Sequence, residues 1–180
     1  MELLLTKPNE STGEEARLEE AFAEHWTWVL RTLTYVVGDR DEAEDLALEV
    51  FYRLHRRPPR DLTQLGSWLH RVAMNVGLNA LRSRRRRQRY EEEAGALRLQ
   101  RHAPVDPAAE VERRERQAQV RRVLGQMRPR KAQLLILRHE GRSYAEIADI
   151  LSIAPGSVGT LLARAEREFE RRYRSLEERS

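Results

Sequence analysis

The chain has no cysteine, which removes disulfides, a thiol nucleophile and thiolate-bound zinc from consideration. Its five histidines, His25, His55, His70, His102 and His139, are scattered and none forms a His-x-x-x-His pair, so neither a metal site nor a cofactor is expected. Long apolar runs are missing too. The apolar start at Leu3, Leu4 and Leu5 is short, and nothing approaches the ~18 residues of a membrane span, so no membrane insertion is expected and a cytoplasmic location is the default. There is no convergent acid–base pair, no nucleophile beside a base and no glycine-rich phosphate loop. No catalytic residue is assigned, and the protein is not read as an enzyme.

What is present is helical and basic. The 180 residues suffice for one ordinary domain or two small ones, each with a modest core. Lys and Arg number 33 against 29 Asp and Glu, giving a formal charge of +4 and a pI near 9.8, which favours a polyanionic partner. Most of the excess lies in one run, Arg82, Arg84, Arg85, Arg86, Arg87 and Arg89, which Glu91, Glu92 and Glu93 end abruptly.

Apolar residues recur at spacings of three and four while strand-like alternation is absent, so the fold class is all-α: two small helical domains joined by a flexible linker. Residues 1–16 are expected to be an N-terminal tail, with disorder one reading of it. A first helix spans about 14–37, burying Phe22, Trp26, Val29, Leu30, Leu33 and Val37, and Gly38 ends it with a left-handed cap. Asp41 is expected to cap a second helix with Glu44 three residues on, and Ala43, Leu46, Ala47, Val50, Phe51 and Leu54 form its apolar stripe. Pro58 and Pro59 stop it, and an exposed polar loop follows. A third helix, about 65–86, buries Leu65, Trp68, Leu69, Val72, Ala73 and Val76 and turns Arg71, Asn75, Leu78 and Arg82 outward. The first domain is thus expected over 17–88 and a mobile linker over 89–106. Asp106 and Pro107 open the second domain, 107–175, whose first helix reaches about Met127 and whose next apolar segment, 132–138, follows Pro129.

The strongest motif lies in that second half. Tyr144 to Leu151 reads as a short helix, Ser152 to Ala154 as a tight turn, and Pro155 onward as a longer helix with Val158, Leu162, Ala165 and Phe169 on one stripe. Ile147, Ala148 and Ile153 have the sizes that let two such helices cross closely, the grammar of a helix-turn-helix. A second helix of this kind places its N-terminal residues in a major groove, which makes Ser157, Thr160 and Arg164 candidate DNA contacts and lets Arg167, a turn further on, reach a phosphate; Tyr144, at the start of the first helix, is a further candidate. The bland reading is a pair of packed amphipathic helices whose arginines are solvated beside Glu166, Glu168 and Glu170. In the first half, Asp45, Leu48, Glu49 and Arg53 lie off the core stripe of the second helix. They are either an ordinary solvated face or a docking surface for a basic, partly apolar helix.

The motifs resemble one family. Asp41-Glu42-Ala43-Glu44-Asp45-Leu46-Ala47-Leu48-Glu49-Val50-Phe51 is similar to the polymerase-binding helix of extracytoplasmic-function sigma factors, and Trp68-Leu69-His70-Arg71-Val72-Ala73-Met74-Asn75 with Leu81-Arg82 resembles their promoter-melting helix. Gly141 to Ala148 and Gly156-Ser157-Val158 resemble the helix-turn-helix that reads the minus-thirty-five element. The resemblance covers about residues 17–88 and 107–173. It implies that Asp45, Leu46, Leu48, Glu49 and Phe51 belong to the core-polymerase site, Phe51 from within the core. By the same resemblance Arg71, Asn75, Asn79, Arg82, Arg85 and Arg86 face the minus-ten DNA, and the loop 56–65 captures an extruded base. The linker would thread through polymerase toward the RNA exit path. Leu48 stands where the family usually has Gln, Asn79 where Asp is common, and Gly159-Thr160-Leu161 where Lys, Ser and Arg are usual, which removes two cationic contacts.

The function expected is that of an alternative sigma factor whose partners are core RNA polymerase, promoter DNA and an anti-sigma factor. Two other readings of the residues stay open. One is a stand-alone helix-turn-helix transcriptional regulator; the other is a sigma-like interaction protein that does not read DNA.

Overall fold

In the computed structural model, the residues described are 10–93 and 108–178, with side chains described over 16–90 and 112–178. Seven α-helices and two short 3₁₀ turns make up these segments: α1 (Glu10–Val37), α2 (Arg40–Arg56), α3 (Leu65–Glu93), α4 (Ala108–Gln126), α5 (Pro129–His139), α6 (Tyr144–Leu151) and α7 (Val158–Glu177). No strand occurs among the described residues.

Helix α1 starts at Glu10, earlier than expected and inside the anticipated tail. It ends as the sequence suggests, with Gly38 at φ 78°. The cap of α2 differs from expectation. Asp39, in extended backbone, accepts a hydrogen bond from the Glu42 amide at 2.8 Å, whereas Asp41 already lies in the first turn. Because Gly38 reverses the chain at once, the first acid after it becomes the cap. Helix α3 runs seven residues beyond Arg86, into the segment read as linker, since Arg, Gln and Glu favour helix and no Gly or Pro intervenes before Gly95. The expected linker over 94–106, and the Asp106 and Pro107 that were to open the next helix, lie outside the described residues.

Helices α1, α2 and α3 pack on one another around Val29, Leu33, Val36, Ala43, Ala47, Val50, Leu69 and Ala73, all fully buried. Gly77 lets α3 approach α1 closely, because a Cβ there would lie 3.0 Å from Val36. In the second half, α5, α6 and α7 enclose Leu134, Leu137, Ile147, Leu151, Val158 and Leu162, and α4 packs on both α7 and α3. Pro129 does not separate α5 from its apolar segment but forms its first residue, where a missing N–H costs nothing. Lys131 and Arg172 both reach Glu168, at 2.5 and 3.0 Å, fastening α5 to α7 and, led by the Lys131 bond, holding that carboxyl below its ordinary range.

The two halves are not independent. Helix α3 is a shared wall, packed by α1 and α2 on one side and by α4, α5 and α6 on the other. Leu78, expected to face solvent with Arg71, Asn75 and Arg82, is fully buried, on a stripe whose polar members bond residues of the second half. Phe22, expected in the core, is 37 % exposed. It stacks on Trp26 at 4.6 Å and leans on Phe51 at 4.8 Å, closing the core edge without entering it.

Candidate polymerase and DNA interfaces

The α2 stripe that buries Ala43, Ala47, Val50, Phe51 and Leu54 forces its other face outward. On that face Asp45 and Glu49 are exposed, Leu48 is 54 % exposed, and Leu46 is half-buried at the seam. Phe51 is buried, so any part it plays in docking is as a support. Arg53 grips Glu49 at 2.5 Å, leaving a mixed acidic and apolar surface. Tyr52, 61 % exposed and one turn beyond Leu48, enlarges the apolar part; the i,i+4 spacing was the signal that sequence reasoning missed.

Loop 57–64 carries a 3₁₀ turn, Leu62–Gln64, capped by Asp61, which accepts from both the Thr63 amide and hydroxyl. Those bonds, the hydroxyl first, hold the Asp61 carboxyl below its usual range. Beside it is a 660 Å³ cavity lined by Leu18, Ala21, Leu54, Pro59, Leu62 and Leu65, with Arg17, Arg56 and Arg60 at its border. Glu20 and Glu24 line it as well, so its charge is mixed, and its apolar wall is the part that suits a base.

Along α3, of the side chains expected at the minus-ten DNA, Asn75, Asn79, Arg85 and Arg86 are exposed, whereas Arg71 and Arg82 are half-buried. Arg71 donates to the Ser152 hydroxyl at 2.8 Å. Asn75 accepts from Gln133 at 2.7 Å, and Arg82 donates to the Met127 carbonyl at 3.0 Å and to Asn79 at 3.3 Å. Burial lowers the Arg82 guanidinium from its ordinary range. Arg85 and Arg86 stay exposed, with Arg86 bonded to Ser83. Arg84 has a different role within the basic run: it bonds the Val37 carbonyl and pairs with Glu42, clamping the α1–α2 corner.

The helix-turn-helix is built as its sequence suggests. Ser143 and Glu146 form a reciprocal capping box at the start of α6, a Ser-x-x-Glu pattern that sequence reasoning passed over. The backbone and side-chain bonds with Ser143, then the Arg142 bond, take the Glu146 carboxyl down to about 2. Gly141, at φ 81°, ends α5, its amide reaching the Arg138 carbonyl while the Arg142 amide reaches that of Leu137. The turn between the two helices passes through Ser152 in a left-handed conformation, and Pro155–Ser157 forms a 3₁₀ entry to α7. Ser157, Thr160, Arg164 and Arg167 are exposed, and Tyr144 is 47 % exposed with Arg138 5.7 Å above its ring. Leu161 is half-buried and Gly159 lies against the Tyr144 ring, so at two positions the surface offers packing in place of a cation.

Between the halves lies a polar cluster that no sequence spacing announces. Thr32 of α1 donates to Glu140 at 2.5 Å, and Arg142 meets His70 Nε2 at 2.9 Å. A guanidinium only donates, so Nε2 accepts and the ring proton sits on Nδ1, which faces Glu140 Oε2 at 4.0 Å. Trp28 stacks on the His70 ring at 3.9 Å. Burial first, and the Arg142 charge second, push His70 down to about 4, so it is neutral at physiological pH.

Two family models match the chain in sequence order: Sigma-70 region 2 over residues 21–87 and Sigma-70, region 4 over residues 117–169. The chain therefore belongs to the sigma-70 family. Within it, the similarity is to the extracytoplasmic-function group: the chain is 29 % identical over 169 residues to the ECF RNA polymerase sigma factor SigE of Mycolicibacterium smegmatis, covering 89 % of this chain and 64 % of that protein. It is also 29 % identical over 157 residues to the RNA polymerase sigma-H factor of Pseudomonas aeruginosa, covering 82 % and 81 %. Among solved structures, the sigma factor RpoE from Bartonella quintana, crystallised with the anti-sigma factor NepR, shares the fold with a TM-score of 0.50 at 16 % identity, over 88 % of this chain and 97 % of that one.

Proposed function

We propose that this chain is an alternative sigma factor: it binds core RNA polymerase, directs it to promoters, and makes or breaks no covalent bond itself. The reading is carried by one observation, the outward α2 face of Asp45, Leu48, Glu49 and Tyr52 on the same chain as a helix-turn-helix whose Ser157, Thr160 and Arg164 are open to solvent. An acidic, partly apolar helix face suits a complementary basic helix of the polymerase, and exposed hydroxyls and a guanidinium at a recognition-helix start suit base edges and phosphate. The Asn75, Asn79 and Arg82 stripe is assigned to the minus-ten element, and the cavity beside Leu62 to an extruded base. The protein acts where polymerase is, in the cytoplasm, and an anti-sigma factor is its expected regulator. No single helix among the described residues is long and apolar enough to cross a membrane.

The test is an equilibrium titration of labelled protein with purified core polymerase. Asp45→Lys with Glu49→Lys is expected to weaken binding by at least tenfold with α-helical content unchanged; equal affinity of the two proteins would remove α2 as the docking surface. Gly159 and Leu161 favour a second reading, in which polymerase is held without recognition of the upstream element. Gly159→Lys with Leu161→Arg then creates duplex binding with a steeper salt dependence, whereas strong upstream binding by the wild type excludes that reading.

A further inference from the structure

We propose that the groove between α1 and α4 binds a phosphorylated small molecule of the nucleoside diphosphate class, at residues outside the polymerase and DNA surfaces assigned above. The groove holds a cavity of 810 Å³, within the roughly 300–1,000 Å³ of small-molecule sites. Two helix faces wall it, Thr27, Arg31 and Thr34 of α1 and Arg113, Arg116 and Val120 of α4, each set spaced by three and four so that its members share one side.

The charge of the cavity is one-sided. Arg31, Arg40, Arg113, Arg116 and Arg121 line it, and no carboxylate occurs among its described lining residues. Elsewhere an arginine is answered by an acid one helical turn away, as Arg53 is by Glu49 and Arg142 by Glu146. Arg40 follows that rule with Glu44. Arg31 and Arg121, one on each wall, have no acid three or four residues to either side. Arg121 is half-buried over Gly38 and also lines a second cavity, of 410 Å³, with Arg84, Arg85, Arg89 and Arg122, again without an acid. Burial first, and the Arg84 charge second, lower the Arg121 guanidinium from its ordinary range, with Tyr35 acting the other way. Arg84 itself is spent on Glu42 and the Val37 carbonyl. A guanidinium drawn partly out of water beside another is stabilised by an anion, and a phosphate presents two oxygens to its fork.

The rest of the lining is aromatic and apolar. Tyr35, 38 % exposed, stacks on His139 at 4.6 Å, and Leu30 and Leu124 extend the apolar surface. Glu140, the acid that acts on Tyr35, accepts from Thr32. An adjoining cavity shares Tyr35 and His139 but adds Glu166 and Glu170 with a single guanidinium, Arg167. Those carboxylates repel phosphate, which directs the charged part of a ligand to the α1–α4 arginines and its planar part to the Tyr35–His139 stack.

The test is calorimetric titration of the full chain with ADP, GDP, pyrophosphate, adenosine and a ten-residue oligothymidylate. ADP or GDP is expected to bind one to one with a Kd of about 100 µM or below, pyrophosphate about tenfold more weakly, and adenosine not measurably. Arg121→Gln should weaken nucleotide and pyrophosphate alike, by about tenfold or more. Arg116→Gln, at an exposed position, supplies the same comparison should Arg121→Gln disturb the fold. Tyr35→Leu should weaken the nucleotide and leave pyrophosphate unchanged. Arg171→Gln, exposed on α7 and outside these cavities, should change neither. No binding of ADP and GDP by the folded chain overturns the site. Equal losses in Arg171→Gln and Arg121→Gln overturn it as well, by showing diffuse attraction of anions to a basic protein. Oligothymidylate binding that Arg121→Gln abolishes and ADP fails to displace gives the groove to a nucleic acid strand and overturns the small-molecule site. Titration with core polymerase is a separate measurement, so the sigma reading stands or falls apart from all of these outcomes.

Discussion

Gly38 does two jobs that no other residue combines. Its φ of 78° lies in the region that costs an L-residue about 1 kcal/mol or more, and the space where a Cβ would sit is filled by Arg121, whose guanidinium carbon would be 2.3 Å away. Gly38→Ala is expected to destabilise by about 1–3 kcal/mol in urea denaturation, and adding Arg121→Ala should recover the steric part while leaving the backbone part. His70 makes a second prediction. Its folded value of about 4 lies below the ordinary 6.5, so between these pH values the unfolded chain binds more protons and folding loses stability as pH falls. The contribution is complete above pH 6.5, declines toward pH 4 and is on the order of 3 kcal/mol. The Glu146 charge acts the other way and does not offset the burial and the Arg142 charge. His70→Phe, which keeps a ring on Trp28, should flatten stability over that interval in a series of pH-dependent melts. At this scale the sequence was legible where the cause is local, as at Gly38. It misled where two local solutions competed: both Asp39 and Asp41 are plausible caps, and only the tightness of the Gly38 reversal decides between them.

At the scale of elements, the helices were readable because their stripes are strongly periodic, whereas their ends depend on weaker preferences, as the extra turns of α1 and α3 demonstrate. The α6–α7 unit combines a side-chain cap, a left-handed turn and a tight crossing within a few residues. Ser143→Ala is expected to cost about 1 kcal/mol, measured by thermal melting, and to shift the amide resonance of Glu146, whose hydroxyl acceptor it removes. Leu78 marks the limit of a stripe argument. Its spacing puts it outward on a helix with one partner layer, and α3 has helices of both halves packed on it. Periodicity reports how many faces a helix hides only when the faces differ in composition, and here the second face is made of Arg, Asn and Leu, the residues also expected of an open one.

For the whole molecule, the candidate site was legible as a list of residues and illegible as an arrangement, since the contacts between halves link positions 45 to 108 residues apart through ordinary polar side chains. One consequence is mechanical. The buried residues of both halves form one continuous core through α3, so unfolding should be a single cooperative event. All three tryptophans lie in the first half, at Trp26, Trp28 and Trp68. Their fluorescence and the helical circular dichroism signal should lose amplitude at the same urea concentration, and Leu81→Ala, which opens a void at the α3–α4 crossing where Gly125 approaches, should move both midpoints together. Separated transitions would mean that the halves fold as neighbours only. The same shared wall bears on how such a protein is assembled by recombination. A first half exchanged between relatives brings its own α3, and with it a surface cut to fit a particular second half. Chimeras joined in the segment between α3 and α4 therefore inherit a mismatch far from the junction, and the parts of this molecule are less interchangeable than their order along the chain suggests.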